Sequence, residues 1–204
     1  MNRVKPEPVP KRGGRGTKAQ VAENRDRIIA AAARAFRERG FEGIGVAELM
    51  RSVGLTHGGF YGHFASKDEL MAHACRRAVD DMLAEWRQRI AADPGDPAAS
   101  IVAPYLSPGH RDSPALGCLM AALGPDTARA APQVRAAVTE SLERVLDTIA
   151  GEMPDADAAG RRRRAIGLFA SLVGTMVVAR AVDDRPLSDE VLDAVRAQAE
   201  ASLR

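Results

Sequence analysis

From Thr17 onward, apolar residues recur three and four positions apart, the spacing that puts them on one side of a helix. A first helix is predicted to start at Thr17, with Gln20 reaching back in a capping box, and to bury Ile28, Ile29, Ala32, Ala35 and Phe36. Gly40 stands where a left-handed residue ends such a helix, and Phe41 follows as its apolar clamp. The stretch from Val46 to Phe64 then reads as a short helix, a glycine turn at Gly54 and a second short helix capped by Thr56. Val46, Leu49, Val53, Leu55, Phe60 and Phe64 would form the small core that fixes the angle between the two. A second capping box, Ser66 to Glu69, opens a long helix carrying Leu70, Ala74, Ala78, Met82, Trp86 and Ile90, which ends before Asp93-Pro94-Gly95.

Beyond that point Pro94, Pro97, Pro104, Pro108, Pro114, Pro125 and Pro132 are expected to interrupt the chain, because each removes a backbone donor and disfavours helix in the preceding residue. Pro154 and Pro186 then separate three further helical stretches. Ala, Arg and Leu are abundant, aromatics make up only 4% of the residues, and no sustained alternation of the strand kind is present, so the fold class is all-α.

Composition changes the picture in two places. The 204 residues carry a net charge of +2, but residues 1–77 sum to +7 and residues 78–204 to −5. A basic front and an acidic back indicate that only the front meets a polyanion. Cys75 and Cys118 lack any Cys-x-x-Cys spacing, which excludes a disulfide scaffold or zinc ribbon and fits a reducing compartment. The start of the chain is basic and Pro/Gly-rich without an apolar signal core, and the uncharged stretch Ala165 to Ala179 reads as too short and too rich in Gly, Ser and Thr to span a bilayer. A cytoplasmic protein with no membrane partner is therefore expected.

The second short helix carries the candidate chemistry. Gly58, Gly59 and Gly62 each cost about 1 kcal/mol relative to Ala inside a helix. Bare backbone allows close approach to a surface, as a helix in a major groove requires. His57, Tyr61 and His63 stand among the glycines as donors to phosphate oxygens or base edges, and Lys67 can neutralise a phosphate. The competing reading makes Tyr61 and His63 ordinary partly buried residues. Residues 1–16, ending in Lys11-Arg12-Gly13-Gly14-Arg15-Gly16, read as a mobile basic arm, either a solvated tail or a strand laid along DNA.

These residues resemble the TetR family of transcriptional regulators. The match runs from about Arg27 to Leu70: an Ile/Ala/Ala/Phe helix, Gly40-Phe41, then Gly54-Leu55-Thr56-x-Gly58-x-Phe60-Tyr61-x-His63-Phe64-x-Ser66-Lys67-x-x-Leu70. The resemblance implies a three-helix DNA-binding domain with a helix-turn-helix, here residues 17–65, followed by a helical effector-binding and dimerisation domain, residues 66–204. It implies a homodimer on a palindromic double-stranded DNA operator, acting as a repressor released by a small molecule. By the same resemblance Thr56, Tyr61, His63 and Lys67 would meet phosphates, and His57, Gly58 and Gly59 would face bases. Gly45 and Ala47 depart from the family pattern, standing where a capping hydroxyl and a longer polar side chain are common.

The rest of the chain shows no enzyme constellation, no cofactor motif, and no metal-ligand spacing among the histidines at 57, 63, 73 and 110. Ala165 to Val182 is apolar on more than one face, and the final stretch from Ser188 to Leu203 is amphipathic through Val191, Leu192, Val195 and Ala199, so a dimer interface built from the last two helices is expected. Arg161 to Arg164 reads as a solvated helix start, since four successive positions point in different directions. Met82, Trp86, Tyr105, Met120, Phe169 and Met176 are candidates to line an apolar effector cavity, or equally to fill the core. Cys118 joins them because Leu116-Gly117-Cys118-Leu119-Met120 opens a short helix. Some regulators that resemble this chain have a cysteine in a similar Gly-Cys-Leu setting and respond to electrophiles, and the alternative is an inert buried thiol; Cys75 reads as packing. Two other functional classes stand beside the regulator: a non-specific nucleoid-type or RNA-binding protein, which would show no preferred palindrome, and a helical enzyme, which would turn over a bound ligand.

Overall fold

A computed structural model describes residues 17–153 and 157–201. The expected basic arm, Pro154 and the end of the last stretch at Leu203 lie outside the described residues. Among those residues the regular structure is helical throughout, with no strand.

Helix α1 (Lys18–Arg39) is capped by Thr17, whose Oγ1 accepts from the Gln20 N–H at 3.2 Å. Only half of the expected box forms: the Gln20 amide turns forward to Glu23 and Asn24 instead of reaching back. Gly40 terminates the helix at φ +78°, and Phe41 stacks edge-on against Phe36 with ring centroids 5.5 Å apart. Ile28, Ala32 and Phe36 are fully enclosed, while Ile29 and Ala35 are half-buried. Helix α2 (Val46–Ser52) turns at Gly54, φ +73°, and is followed by a 3₁₀ segment, His57–Gly62.

Helix α3 (Lys67–Ala92) is the rod that the apolar spacing predicts, about 39 Å long at 1.5 Å per residue. Ser66 Oγ accepts from Glu69 N–H at 3.1 Å, and the Glu69 carboxylate takes the Ala65 N–H at 2.7 Å, one residue earlier than the expected box. Leu70, Ala74, Ala78, Met82 and Trp86 are buried along it and Ile90 half-buried. The rod packs on α1 at one end and on α7 (Pro132–Gly151) along its length.

Between these, α4 (Pro97–Tyr105), α5 (Pro108–Arg111), a 3₁₀ turn (Pro114–Leu116) and α6 (Leu119–Ala128) replace the interrupted middle. Most of the prolines there start helices. Pro97, Pro108, Pro114 and Pro132 sit in first turns, where the missing N–H would be unpaired anyway, and Pro104 and Pro125 lie within α4 and α6.

Helices α8 (Ala158–Ala181) and α9 (Arg185–Ala201) close the bundle. Leu168, Phe169, Leu172 and Met176 face the core, while Ile166, Gly167, Ala170, Ser171, Gly174, Val177 and Val178 form an exposed stripe of apolar and small residues. In length and composition α8 suffices to cross a membrane, with a mean hydropathy of 1.4 over 18 residues, because the helix runs past both ends of the uncharged stretch. Its inward side is covered by α7 and α9, as in the core helix of a bundle. Arg162, at its start, pairs with Glu143 and Asp147 of α7, while Arg163 and Arg164 are exposed.

Candidate functional site

The 3₁₀ segment is anchored from below and bare above. Phe60 and Phe64 are buried to 1% and 2% exposure, with ring centroids 5.6 Å apart, and the Arg25 guanidinium lies 4.7 Å over the Phe64 ring. The expected α-helical reader capped by Thr56 is not formed. The Thr56 side chain makes no capping bond, and the segment is wound as 3₁₀, consistent with three poor helix formers in six residues.

A Cβ added at Gly58 or Gly62 would meet nothing within 4 Å, and one at Gly59 would lie 3.7 Å from Thr56 Oγ1. The glycines are therefore not required by the packing of the protein itself. Thr56, His57 and Tyr61 are exposed, Tyr61 to 68%, and the His57 and Tyr61 rings meet edge-on at 6.2 Å. His63 sits lower: its ring is half-buried and Nδ1 is enclosed without a hydrogen-bond partner. Lys67, at the first position of α3, is held at 3.4 Å by Glu42, so a phosphate would have to displace a carboxylate that is itself 90% exposed. The structure thus brings the seven residues expected at a DNA surface to one end of the molecule, with His63 and Lys67 less free than the others.

Residues 28–74 match the profile of the bacterial regulatory proteins of the tetR family. The N-terminal region is a TetR-family domain. The repressor KstR2 of Mycolicibacterium smegmatis is 31% identical over 72 residues, 35% of this chain and 35% of that protein. The activator FasR of the same organism is 32% identical over 76 residues, 37% of this chain and 35% of that protein. The alignments span about a third of each relative's length and fall short of its remaining two thirds. A TetR-family regulator from Cytophaga hutchinsonii superposes with a TM-score of 0.73 at 18% identity, over 90% of this chain and 96% of that one, so the fold extends beyond the TetR-family domain. The relatives are transcriptional regulators, and the non-specific nucleoid-type alternative has no support among them.

Behind the TetR-family domain, an open cavity of about 350 Å³ lies between α3, α4, α5 and the turn before α6. Of the seven residues expected at an effector site, Met82, Trp86, Tyr105 and Cys118 line it. Met120 and Phe169 instead border a tight apolar void of about 10 Å³, together with Met82 and Cys118. Met176 reaches neither, being wholly enclosed on the inward side of α8. The expected set is therefore split, because Met and Phe fill core positions as readily as cavity walls.

Sequence reasoning missed the group that shapes this cavity, His110. Its Nδ1 lies 2.7 Å from the Tyr105 carbonyl, which fixes the proton there, and Nε2 accepts the Cys118 N–H at 2.9 Å. Burial, with Arg180 and Arg37 nearby, holds the imidazole below its ordinary pKa, against weaker opposing effects of the Tyr105 carbonyl and Glu85. Arg180 of α8 donates to the His110 and Arg111 carbonyls at 2.8 and 3.0 Å. The one sequence signal was Gly117, where a Cβ would stand 2.5 Å from His110 Nε2.

Cys118 is the N-cap of α6, as expected from its helix-opening position, and is 2% exposed. Tyr105, 4% exposed, turns its hydroxyl toward that thiol, but not in hydrogen-bonding geometry, and the hydroxyl has no other partner. Burial first and the sulfur second hold the phenol well above its ordinary pKa, so it remains a donor. Cys75 is enclosed on α3 and pushed up to about 12 by burial, as a packing residue would be.

Proposed function

We propose that the chain is a ligand-responsive transcriptional repressor that binds a palindromic operator as a homodimer and is released when a small molecule fills the cavity behind its reader. The observation that carries this is the open, glycine-bare surface at Gly58 and Gly62, next to exposed His57 and Tyr61, on a TetR-family domain. In this reading residues 17–65 form the DNA-binding domain and residues 66–204 the effector and dimerisation domain. Thr56, Tyr61, His63 and Lys67 fix the reader on phosphates, and His57, Gly58 and Gly59 meet base edges. The work takes place in the cytoplasm.

Helix α3 joins the reader to the cavity as a single rod, carrying Lys67 at one end and Met82 and Trp86 further along. A ligand that tilts it changes the separation of two readers that must match half-sites about 34 Å apart. The exposed apolar stripe of α8, flanked by Leu187 of α9, supplies the dimer surface. The test is to sequence the DNA selected by the purified protein and then screen small molecules for release. A shared palindrome and at least one releasing compound are expected. Selection without a common sequence overturns the reading.

A second route to release is proposed at Cys118, because it lines the cavity that opens to solvent. Addition of an electrophile such as a quinone to its sulfur would fill that cavity covalently, the thiol proton passing to the reduced quinone. Release by quinone is expected to be lost in Cys118→Ser, and unchanged release in that variant rules the route out.

A further inference from the structure

Cys118 stands where α6 needs an oxygen. The helix is ten residues long, and the first N–H groups of any helix lack an intrahelical acceptor. The N-cap residues that helices favour offer one of them a side-chain oxygen, but the Cys118 thiol makes no such bond. Two further donors near the sulfur are also unmet. The Tyr105 hydroxyl, on a residue only 4% exposed, is enclosed beside the thiol and has no hydrogen-bond partner. Arg180 spends Nε and Nη2 on the Arg111 and His110 carbonyls, and its Nη1 is enclosed without a partner. Both Arg180 and Arg37 lie within electrostatic reach of the sulfur, and neither is paired with a carboxylate among the described residues. A thiol is a weak acceptor, and unmet buried donors are costly. Because the Tyr105 hydroxyl is enclosed beside the sulfur and not open to the cavity, an acceptor that reaches it must be carried on the sulfur itself.

We propose that Cys118 is an oxidation site for hydroperoxides, which leave on its sulfur one oxygen that accepts a hydrogen bond from Tyr105 Oη at the unpaired N–H groups of α6. Cys118 borders the 350 Å³ cavity, through which a peroxide reaches the sulfur. The sulfur attacks the outer peroxide oxygen; the S–O bond forms as the O–O bond breaks, and the departing oxygen takes the thiol proton. Sulfur is thereby oxidised by two electrons to a sulfenic acid, and the peroxide is reduced to an alcohol, or to water when it is hydrogen peroxide. The backbone that presents the sulfur is fixed, with His110 Nε2 accepting the Cys118 N–H at 2.9 Å and Arg180 holding the loop before it. Cys75 is enclosed on α3, its thiol pushed up to about 12 by burial, and it borders neither cavity, so it serves as the inert reference. The proposal goes beyond release by a cavity ligand, since it concerns the sulfur alone and needs neither effector nor operator.

The experiment treats the full-length protein with hydrogen peroxide, removes the peroxide with catalase and adds dimedone after increasing delays. Peptide mass spectrometry then reads the trapped sulfenic acid at each cysteine. Trapping at Cys118 at least about tenfold above that at Cys75 is expected. In Tyr105→Phe the trappable signal at Cys118 should decay at least about fivefold faster, the size of one hydrogen bond. Alkylation of Cys118 by iodoacetamide, which leaves no oxygen on the sulfur, should keep its wild-type rate in that variant, so a change of access would show itself separately. Tyr105→Phe deletes only a hydroxyl that bonds nothing and should fold, which a melting curve checks. No trapped Cys118, trapping equal to that at Cys75, equal decay in Tyr105→Phe, or decay and alkylation changing together overturns the inference. None of these touches the regulatory reading, which is judged separately by operator selection and release.

Discussion

Arg37 of α1 donates two hydrogen bonds to a single carbonyl, that of Ala115, from Nε at 2.9 Å and Nη2 at 2.6 Å. The two residues are 78 positions apart, and Arg37 is 5% exposed. Ala115 belongs to the 3₁₀ turn whose next residues, Leu116 to Cys118, form the cavity wall. A charged group held out of water to grip one backbone oxygen therefore ties α1 to the cavity wall. Arg37→Met is expected to lower stability by about 1.5–3 kcal/mol, since it leaves that carbonyl unpaired. A melting temperature lowered by about 3–10 °C checks this.

The same link can be tested without any ligand. A methyl group at Gly117 would lie 2.5 Å from His110 Nε2 and 2.9 Å from Arg180 Nη2, so Gly117→Ala must displace the turn. We expect it to weaken operator binding at least about fivefold in the wild type and less than about twofold beside Arg37→Met, because the displaced turn then has nothing to pull. Equal losses in both backgrounds would sink the connection. His110→Ala, which frees the turn instead of crowding it, repeats the cycle should the crowded variant melt too low.

At the proposed reader, the glycines should separate binding from stability. Gly58→Ala and Gly62→Ala put a methyl into open space at backbone angles that L-residues adopt. Thermal stability should hold or rise by up to about 1 kcal/mol, while operator affinity falls about tenfold or more. Lys67→Ala should weaken binding to all sequences alike and lower the salt slope by about one, whereas His57→Ala should relax specificity at one base pair. Retained affinity in both glycine variants would mean that the bare surface is not where DNA sits.

The sequence was legible where geometry is local. Gly40 and Gly54 announce left-handed turns, and Ser66 and Glu69 announce a helix start, because each rule involves residues within four positions of one another. The residues proposed for the reader were singled out for the same reason: the glycines are anomalous within their own segment. What was not legible depends on distant partners. Arg37 carries no mark of its own in the sequence, and its carbonyl partner lies in a turn that the proline pattern suggested only as an interruption. His110 became visible only once α4, α5 and α6 converged on it. The 3₁₀ winding of the reader was equally hidden, since propensity says that glycine weakens an α-helix without naming the alternative.

Acid should loosen the cavity wall. Burial holds His110 below its ordinary pKa, so its folded pKa lies below the unfolded one. The stability this represents is present above about pH 6.5 and is lost as pH falls, because the unfolded chain takes up the proton first. Protonation also converts Nε2 from acceptor to donor opposite the Cys118 N–H, breaking a bond of 2.9 Å. Melting curves between pH 7.5 and about pH 5 should show a decline that is shallower in His110→Gln. His73 is shifted in the same direction by burial and Arg25, so part of the decline should survive the substitution.

The exposed stripe on α8 makes the sharpest demand on assembly. Ile166, Val177 and Val178 are 46%, 42% and 48% exposed, and Gly167, Ala170, Ser171 and Gly174 lie between them. Small residues at that spacing leave a flat strip against which another helix can lie closely, and apolar side chains left in water favour covering it. Val178→Asp points a carboxylate outward from a helix whose inward side is unaffected, so the subunit should keep its fold and melt cooperatively. In sedimentation velocity the wild type should run as a dimer and the variant as a monomer. Operator affinity should then fall by at least about a hundredfold, since a single reader spans only one half-site. A variant that stays dimeric with unchanged operator binding would place the dimer surface elsewhere and leave the stripe unexplained.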